Sequence, residues 1–309
     1  MRWARSVAKN SEAKPDPYAQ AAEAALRGAR AAVLGICASV ALAVIKILAG
    51  VIGNAYALIA DGVESILDVF SSLVVWGSLR IAAAPPNERY PYGYGRVEPL
   101  AALVASLTLL AAAVGIAIES VREIVTPHHA PAAFTLIVLV GVVIVKGIMF
   151  RRLARAGAAI GSQALQGDAV HHRADAITSS AAFIGIAIAR IGGPGYESAD
   201  DWAALIACGV IAFNGVRLFR TALTEVLDVA PPDKVAAGIR RIAGSVAGVA
   251  DIDKCRVRKS GIGYFVELHV VVDGNLPVRV GHTIAHQVKD SLLAGGLGIL
   301  DASIHVEPA

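Results

Sequence analysis

Two stretches decide how this chain reads: Ala60-Asp61-Gly62-Val63-Glu64-Ser65-Ile66-Leu67-Asp68 and Gly167-Asp168-Ala169-Val170-His171-His172-Arg173-Ala174-Asp175. Each carries two metal-competent side chains four residues apart, Glu64/Asp68 and His171/Asp175, in a segment that otherwise reads as membrane-spanning. On an α-helix, residues i and i+4 share a face, one turn apart. Two such helices side by side offer three carboxylates and one imidazole to a single divalent cation. Charged groups at membrane depth are costly and normally face a partner or a water-filled path, so the stretches point to metal transport. The bland reading of the same residues is interhelical hydrogen bonding, or pairing with basic groups near helix ends.

Composition supports the membrane setting. Of 309 residues, 56% are hydrophobic and 17% charged, against about 25% charged in a soluble protein. The long apolar runs lie between about residues 30 and 225, and the remainder has ordinary soluble texture. The net charge of +3 comes from basic residues at membrane flanks, where topology explains them better than a nucleic-acid partner does. Cys37, Cys208 and Cys255 are scattered, with no CxxC, so no disulfide framework is implied. The polar N-terminus lacks the apolar core of a cleavable signal peptide.

A spanning helix needs about 20 mostly apolar residues, and six candidates appear, near 31–53, 56–83, 98–122, 133–152, 165–190 and 202–222. The expected division is a cytoplasmic N-terminal segment over 1–29, a six-helix transmembrane domain over 30–225 and a cytoplasmic domain over 226–309. Basic residues collect before the first helix (Arg27, Arg30) and in the second-to-third (Arg80, Arg89, Arg96) and fourth-to-fifth (Arg151, Arg152, Arg155) connections. By the positive-inside rule both termini are cytoplasmic. After Pro231-Pro232, a capped helix is expected over Asp233 to Ser245. Strands follow over Asp253 to Arg258 and Tyr264 to Val272, then a helix over Pro277 to Leu293 and a strand over Ala302 to Val306. The order αββαβ predicts a two-layer, ferredoxin-like α+β domain.

The motifs and their order resemble the cation diffusion facilitators. Glu64-x-x-x-Asp68 and His171-x-x-x-Asp175 stand in register with that family's paired motifs on its second and fifth helices. Ala57-Leu58-Ile59-Ala60-Asp61 and Tyr92-Gly93-Tyr94-Gly95-Arg96-Val97-Glu98 resemble its flanks. The resemblance implies metal/proton antiport by a homodimer that exports cytoplasmic metal through alternating access, in this case across a bacterial inner membrane. It implies no prosthetic group, with the metal as substrate and as regulatory ligand. Glu64, Asp68, His171 and Asp175 would form the transport site. By register with the family's tail, Asp253, His269, His282, His305 and Glu307 would form a regulatory site, with His286 one turn beyond His282. Metal there would draw two tails together. Arg96 and Asp228 match a pair that forms a salt-bridge interlock in related transporters. Tyr90 and Tyr94 stand where bacterial zinc/iron exporters carry loop histidines, so a loop site is not expected. Glu64 replaces the more usual Asp or His.

An Asp/Glu/His set without thiolate suits Zn, Fe(II), Mn, Co or Ni, and the ligand types leave that choice open. Other residues attract blander readings. Asp61 and Asp168 are expected to support the ligands, Lys146 to snorkel beside Arg151 and Arg152 at the cytoplasmic end of the fourth helix, and His128-His129 to lie in a surface loop. Gly192-Gly193-Pro194-Gly195 reads as a turn. An intramembrane metallohydrolase would need an open coordination position and a general base, and no HExxH is present, so an enzyme is not expected. The remaining alternative is a non-transporting membrane metal receptor that signals through its tail.

Overall fold

The computed structural model describes residues 16–52, 56–125, 135–192 and 199–309; within its helices, the side chains of 49–50, 56–64, 67–68, 123, 135, 182, 186, 189–190, 199–201 and 204 lie outside that description. The described residues form two compact units. One comprises Ala25–Ala84 and Tyr94–Leu227. The other comprises Asp228–Ala309 with Pro85–Gly93 and the segment ending at Ala24.

Six long helices come first: α1 (Pro17–Ile52), α2 (Tyr56–Ala82), α3 (Val97–Val125), α4 (Thr135–Ile160), α5 (Gln163–Gly192) and α6 (Ala199–Val226). Their order matches the six expected spans, with two differences at the ends. Helix α1 begins at Pro17, inside the stretch expected as an N-terminal segment, and α4 runs on to Ile160 instead of ending near 152. Among the described residues, Pro17–Leu48, Val97–Arg122 and Leu205–Val226 are long and apolar enough to cross a membrane. Helices α4 and α5 carry charge along their length, with Lys146, Arg151 and Arg152 on one and Asp168, Arg173 and Asp175 on the other.

The helical unit is inside-out relative to a soluble protein. Phe70, Ile206 and Phe213 face outward, while Lys46, Lys146, Glu98, Asp168, His171 and His172 are buried. In water such an apolar exterior would be a binding or aggregation surface; in lipid it is the favourable one, and the buried charges mark the working interior. Helix α5 is central, packing on α4, α6, α3 and α2.

The turn between α4 and α5 sets the level at which their side chains meet. Gly161 has φ +69, the left-handed position that ends a helix, and Ser162 N–H donates to Gly157 O at 3.0 Å to close the last turn. Ser162 then caps α5, its Oγ accepting from Leu165 N at 3.1 Å. Two residues therefore separate the helices, which must run antiparallel side by side.

The second unit contains α7 (Asp233–Gly244), β1 (Asp251–Ser260), β2 (Gly263–Val272), α8 (Val278–Ala294) and β3 (Ile299–Pro308). This is the expected αββαβ order, with the strands longer at their ends. The sheet order is β1-β2-β3, β1 antiparallel and β3 parallel to β2. Val266, Leu268, Val270 and Val272 alternate onto one face and pack with Ile239 and Ala243 of α7 and Ile284, Val288 and Leu292 of α8. Strand alternation puts Glu267 and His269 on the other face. The side-chain cap expected for α7 is absent: Pro232 holds the N-cap position without a side-chain bond, and Val235 N–H donates to its carbonyl at 2.8 Å.

On the face away from the helices, Phe265 meets Tyr92 edge-on, ring centroids 5.6 Å apart. The Arg258 guanidinium sits 5.0 Å from the Tyr92 ring and 5.2 Å from that of Phe265. Pro85–Gly93 thereby covers one end of the outer sheet face.

Candidate metal centres

Glu64 and Asp68 fall on α2, but their side chains lie outside the described residues. Their partners on α5 are described. His171 is buried, Asp175 is half-buried, and His171 Nε2 lies 4.0 Å from Asp175 Oδ2. Where α2 stands against α5 follows from contacts one turn away. Ser72 Oγ donates to Asp168 Oδ1 at 2.7 Å, both side chains fully enclosed. Gly28 of α1 approaches Leu79 and Leu165, while Gly35, seven residues on, approaches Asp168 and His172. Helix α2 thus descends as α5 ascends. Four residues back from Ser72 is Asp68, and four forward from Asp168 is His172, so the α2 and α5 motifs occupy the same level. Gly35 lets the helices approach closely at this crossing: a Cβ there would stand 3.2 Å from His172 Nε2, which would have to shift by a few tenths of an ångström.

Asp168 is buried one turn before His171 and His172 and bonds Ser72 of α2. Lys146 does not match its expectation. It is 1% exposed, far from snorkelling, and its Nζ donates to Asp175 Oδ2 at 2.6 Å. The reason is the true end of α4. With the turn at Gly161, Lys146 lies about 15 residues before it and Asp175 about 14 after, so both stand roughly 21–22 Å up antiparallel helices at 1.5 Å per residue. Sequence reasoning ended α4 too early; the Gly161-Ser162 stop-and-cap signal was the cue that places Lys146 mid-helix.

Two more buried groups went unassigned in the sequence. Lys46 of α1 donates to Ser65 Oγ at 3.0 Å, beside the α2 motif. Glu98, fully buried at the start of α3, accepts from Ser162 Oγ at 2.6 Å and from Ala164 N at 2.5 Å. A carboxylate on the first-turn N–H groups satisfies orphan donors and complements the helix dipole, which fixes the start of the helix that carries His171 and Asp175.

In the tail, three of the five expected residues converge. His269 Nδ1 lies 2.6 Å from Glu307 Oε1, His305 Nε2 lies 3.8 Å from the same oxygen, and the two imidazoles are 4.8 Å apart. One donor from each falls within 4.8 Å of the others. The register explains this: His269 and His305 are direct partners across the parallel pair, and Val271 pairs with Glu307, all on the outer face. A shallow pocket there is lined by Glu267, Leu268, His269, Ser303 and His305.

Asp253 and His282 are not in this cluster. Asp253 is the extra residue of a β-bulge, since Ile252 pairs with Val270 and Lys254 with His269; the bulge turns it out of the ladder. His282 lies on α8, which covers the opposite face of the sheet, and stacks edge-on with His286 at 4.5 Å. Elsewhere in the tail, burial pushes the Cys255 thiol up from its ordinary range, and Arg240 acts the other way.

Arg96 and Asp228 fall in different units. Within its own unit, Arg96 Nη1 donates to Val226 O at 3.0 Å, and the Asp228 carboxylate stands 4.0 Å from Arg258 Nη1. Asp228 has φ 57. Tyr90 sits in a turn held by Asn87, whose Oδ1 accepts from Tyr90 N at 2.9 Å. His128-His129 and Gly193-Pro194-Gly195 lie outside the described residues.

Comparison with known proteins agrees with both halves. Residues 32–227 match the cation efflux transmembrane domain and residues 231–309 the cytoplasmic domain of cation efflux proteins. The chain is 29% identical to Metal tolerance protein C1 of Arabidopsis thaliana, across 96% of this chain and 65% of the plant protein. It is 25% identical to the manganese efflux system protein MneP of Bacillus subtilis, across 90% and 95% of the two chains. With the cation-efflux pump FieF of Cronobacter sakazakii the identity is 29%, across 90% and 92%. Matched through both its helical unit and its tail, the chain belongs to the cation efflux family, the cation diffusion facilitators, a family of membrane transporters and not of enzymes.

Proposed function

We propose that this protein exports a divalent transition-metal cation in exchange for protons, with Glu64, Asp68, His171 and Asp175 holding the cargo. The observation that supports this most is the pairing of buried His171 with half-buried Asp175 on α5, at the level of the α2 motif. Carboxylates and imidazole bind metal only when deprotonated, so protons arriving from the far side compete directly with the cargo, and His171 is the best single carrier. The oxygen and nitrogen donors suit Mn(II), Fe(II) and Zn(II), and the manganese efflux relative favours testing Mn first. The tail cluster of His269, His305 and Glu307 would bind a regulatory metal and favour pairing of two tails in a homodimer. Both termini are assigned to the cytoplasm on the basic connections.

The test is metal uptake into proteoliposomes under an imposed pH gradient, with Mn, Fe(II), Zn, Co and Ni compared in wild type and Asp68→Ala. Gradient-dependent flux that disappears in the variant is expected and names the cargo. No flux of any metal, with metal binding intact, would sink the antiport reading and leave a receptor.

A further inference from the structure

We infer that Lys146 is a tethered competitor for the cargo: its ammonium takes the place of the metal on Asp175, and the incoming divalent ion must displace it. This deepens the transport reading above and rests on Asp175 being a cargo ligand. Three observations carry it. Lys146 is enclosed, at 1% exposure, in the middle of α4. Its Nζ grips Asp175 Oδ2 at 2.6 Å. That oxygen is also the one facing His171 Nε2, at 4.0 Å, so the lone pairs the cation needs in order to bridge His171 and Asp175 are those the ammonium occupies.

The physical logic is charge balance. A carboxylate held in the protein interior needs a countercharge in every state of the cycle. When the metal leaves, the carboxylate must take up either a proton or another cation, and Lys146 stands ready to supply the charge before a proton arrives. Lys146 supplies one positive charge on a flexible four-carbon stem anchored to a neighbouring helix, which it can swing on and off the oxygen. A divalent ion, with twice the charge and three further ligands, outcompetes the ammonium on binding, and the ammonium in turn speeds release. The device lowers affinity and raises turnover. It also disfavours monovalent cations, which bring no more charge than the lysine already provides.

The test uses the full-length protein carrying His269→Ala and His305→Ala, so that the transport site dominates, with Mn(II) and Zn(II) binding measured by titration calorimetry. Lys146→Met should tighten binding about tenfold or more, because the competing charge is gone, and should lower both KM and maximal flux in proteoliposomes. Lys146→Arg keeps the charge but holds the carboxylate by a two-pronged fork, and should weaken binding. A lysine that merely braces α4 against α5 predicts weaker or unchanged binding in both variants, and that result overturns the inference. Should Lys146→Met fail to fold, Lys146→Gln, which removes the charge but keeps a polar stem, takes its place: tighter binding supports the competitor role and weaker or unchanged binding overturns it. The double variant Lys146→Met/Asp175→Ala separates the two readings. If it binds as tightly as Lys146→Met, Asp175 is not a ligand and the transport site itself is misassigned. If it loses binding while Lys146→Met matches the parent, only the competitor role fails.

Discussion

The molecule contains two clusters of histidine and carboxylate, and they solve the same electrostatic problem differently. On α5, His171 is buried and Asp175 half-buried, and the aspartate is paired with the enclosed ammonium of Lys146. On the outer sheet face of the tail, His269, His305 and Glu307 stand open, with the His305 side chain 65% exposed. Water can solvate the tail cluster when no metal is bound. In the helical unit the His171 ring is buried, and the enclosed Lys146 ammonium stands on Asp175. On the proposed reading, metal, proton and lysine would then compete for the same Asp175 carboxylate.

The largest effect that would test this contrast is on stability. Asp175→Ala takes a carboxylate partner at 2.6 Å from the buried Lys146 ammonium, and breaking one partner of a buried pair should cost about 3–5 kcal/mol. Lys146→Met together with Asp175→Ala should recover most of that loss while transport stays abolished. Denaturant unfolding of the purified protein with flux measured in parallel checks both, and equal stability of single and double variants would contradict the buried pair.

Next comes Glu98. Glu98→Ala removes a carboxylate that holds both Ser162 and the first-turn N–H of Ala164, and a loss of about 2–4 kcal/mol is expected from the orphaned donors. Glu98→Gln, which keeps an acceptor, should lose roughly half as much. Transport by the glutamine variant should survive, since Glu98 positions α5 without touching cargo.

The open cluster should behave oppositely. His269→Ala with His305→Ala should change metal-free stability by less than about 1 kcal/mol, as expected for exposed side chains. In an Asp68→Ala background, which silences the proposed transport site, it should remove the metal-dependent rise in melting temperature, worth about 2.7 kcal/mol when metal is at 100 times Kd. Metal-dependent stabilisation that persists would move the tail site elsewhere, with His282 and His286 the next pair to test.

The smallest effect is at the covered end of the same sheet face. Arg258→Ala removes a guanidinium packed on Tyr92 and Phe265 and should cost about 0.5–2 kcal/mol. Arg258→Lys should restore only part of it, because an ammonium stacks less well than a planar guanidinium. An unchanged melting temperature in both would show that the stack adds nothing beyond the fold of the sheet.

Much of this was legible before any coordinates. The apolar runs placed six helices, the basic connections gave an orientation, and the αββαβ order held strand by strand. The pairs Glu64/Asp68 and His171/Asp175 could be read because i, i+4 spacing is a local property of one helix. His269, His305 and Glu307 were named by register with the family's tail, and the strand pairing put them on one face.

What sequence alone determined, then, was each element and the face each residue takes on it. Tertiary structure alone decided which faces meet. Lys146 reads as a membrane-flank lysine until the Gly161 turn sets the length of α4 and lifts it level with Asp175. Glu98 is only the last residue of a family-like flank until α3 is laid against the first turn of α5. Asp253 and His282 match in register but leave the tail cluster, one through a bulge and the other because α8 packs on the opposite face. The physical reason is common to all four. A partner on another element is set by where chains turn and which layer they cover, and no periodicity within one element encodes that.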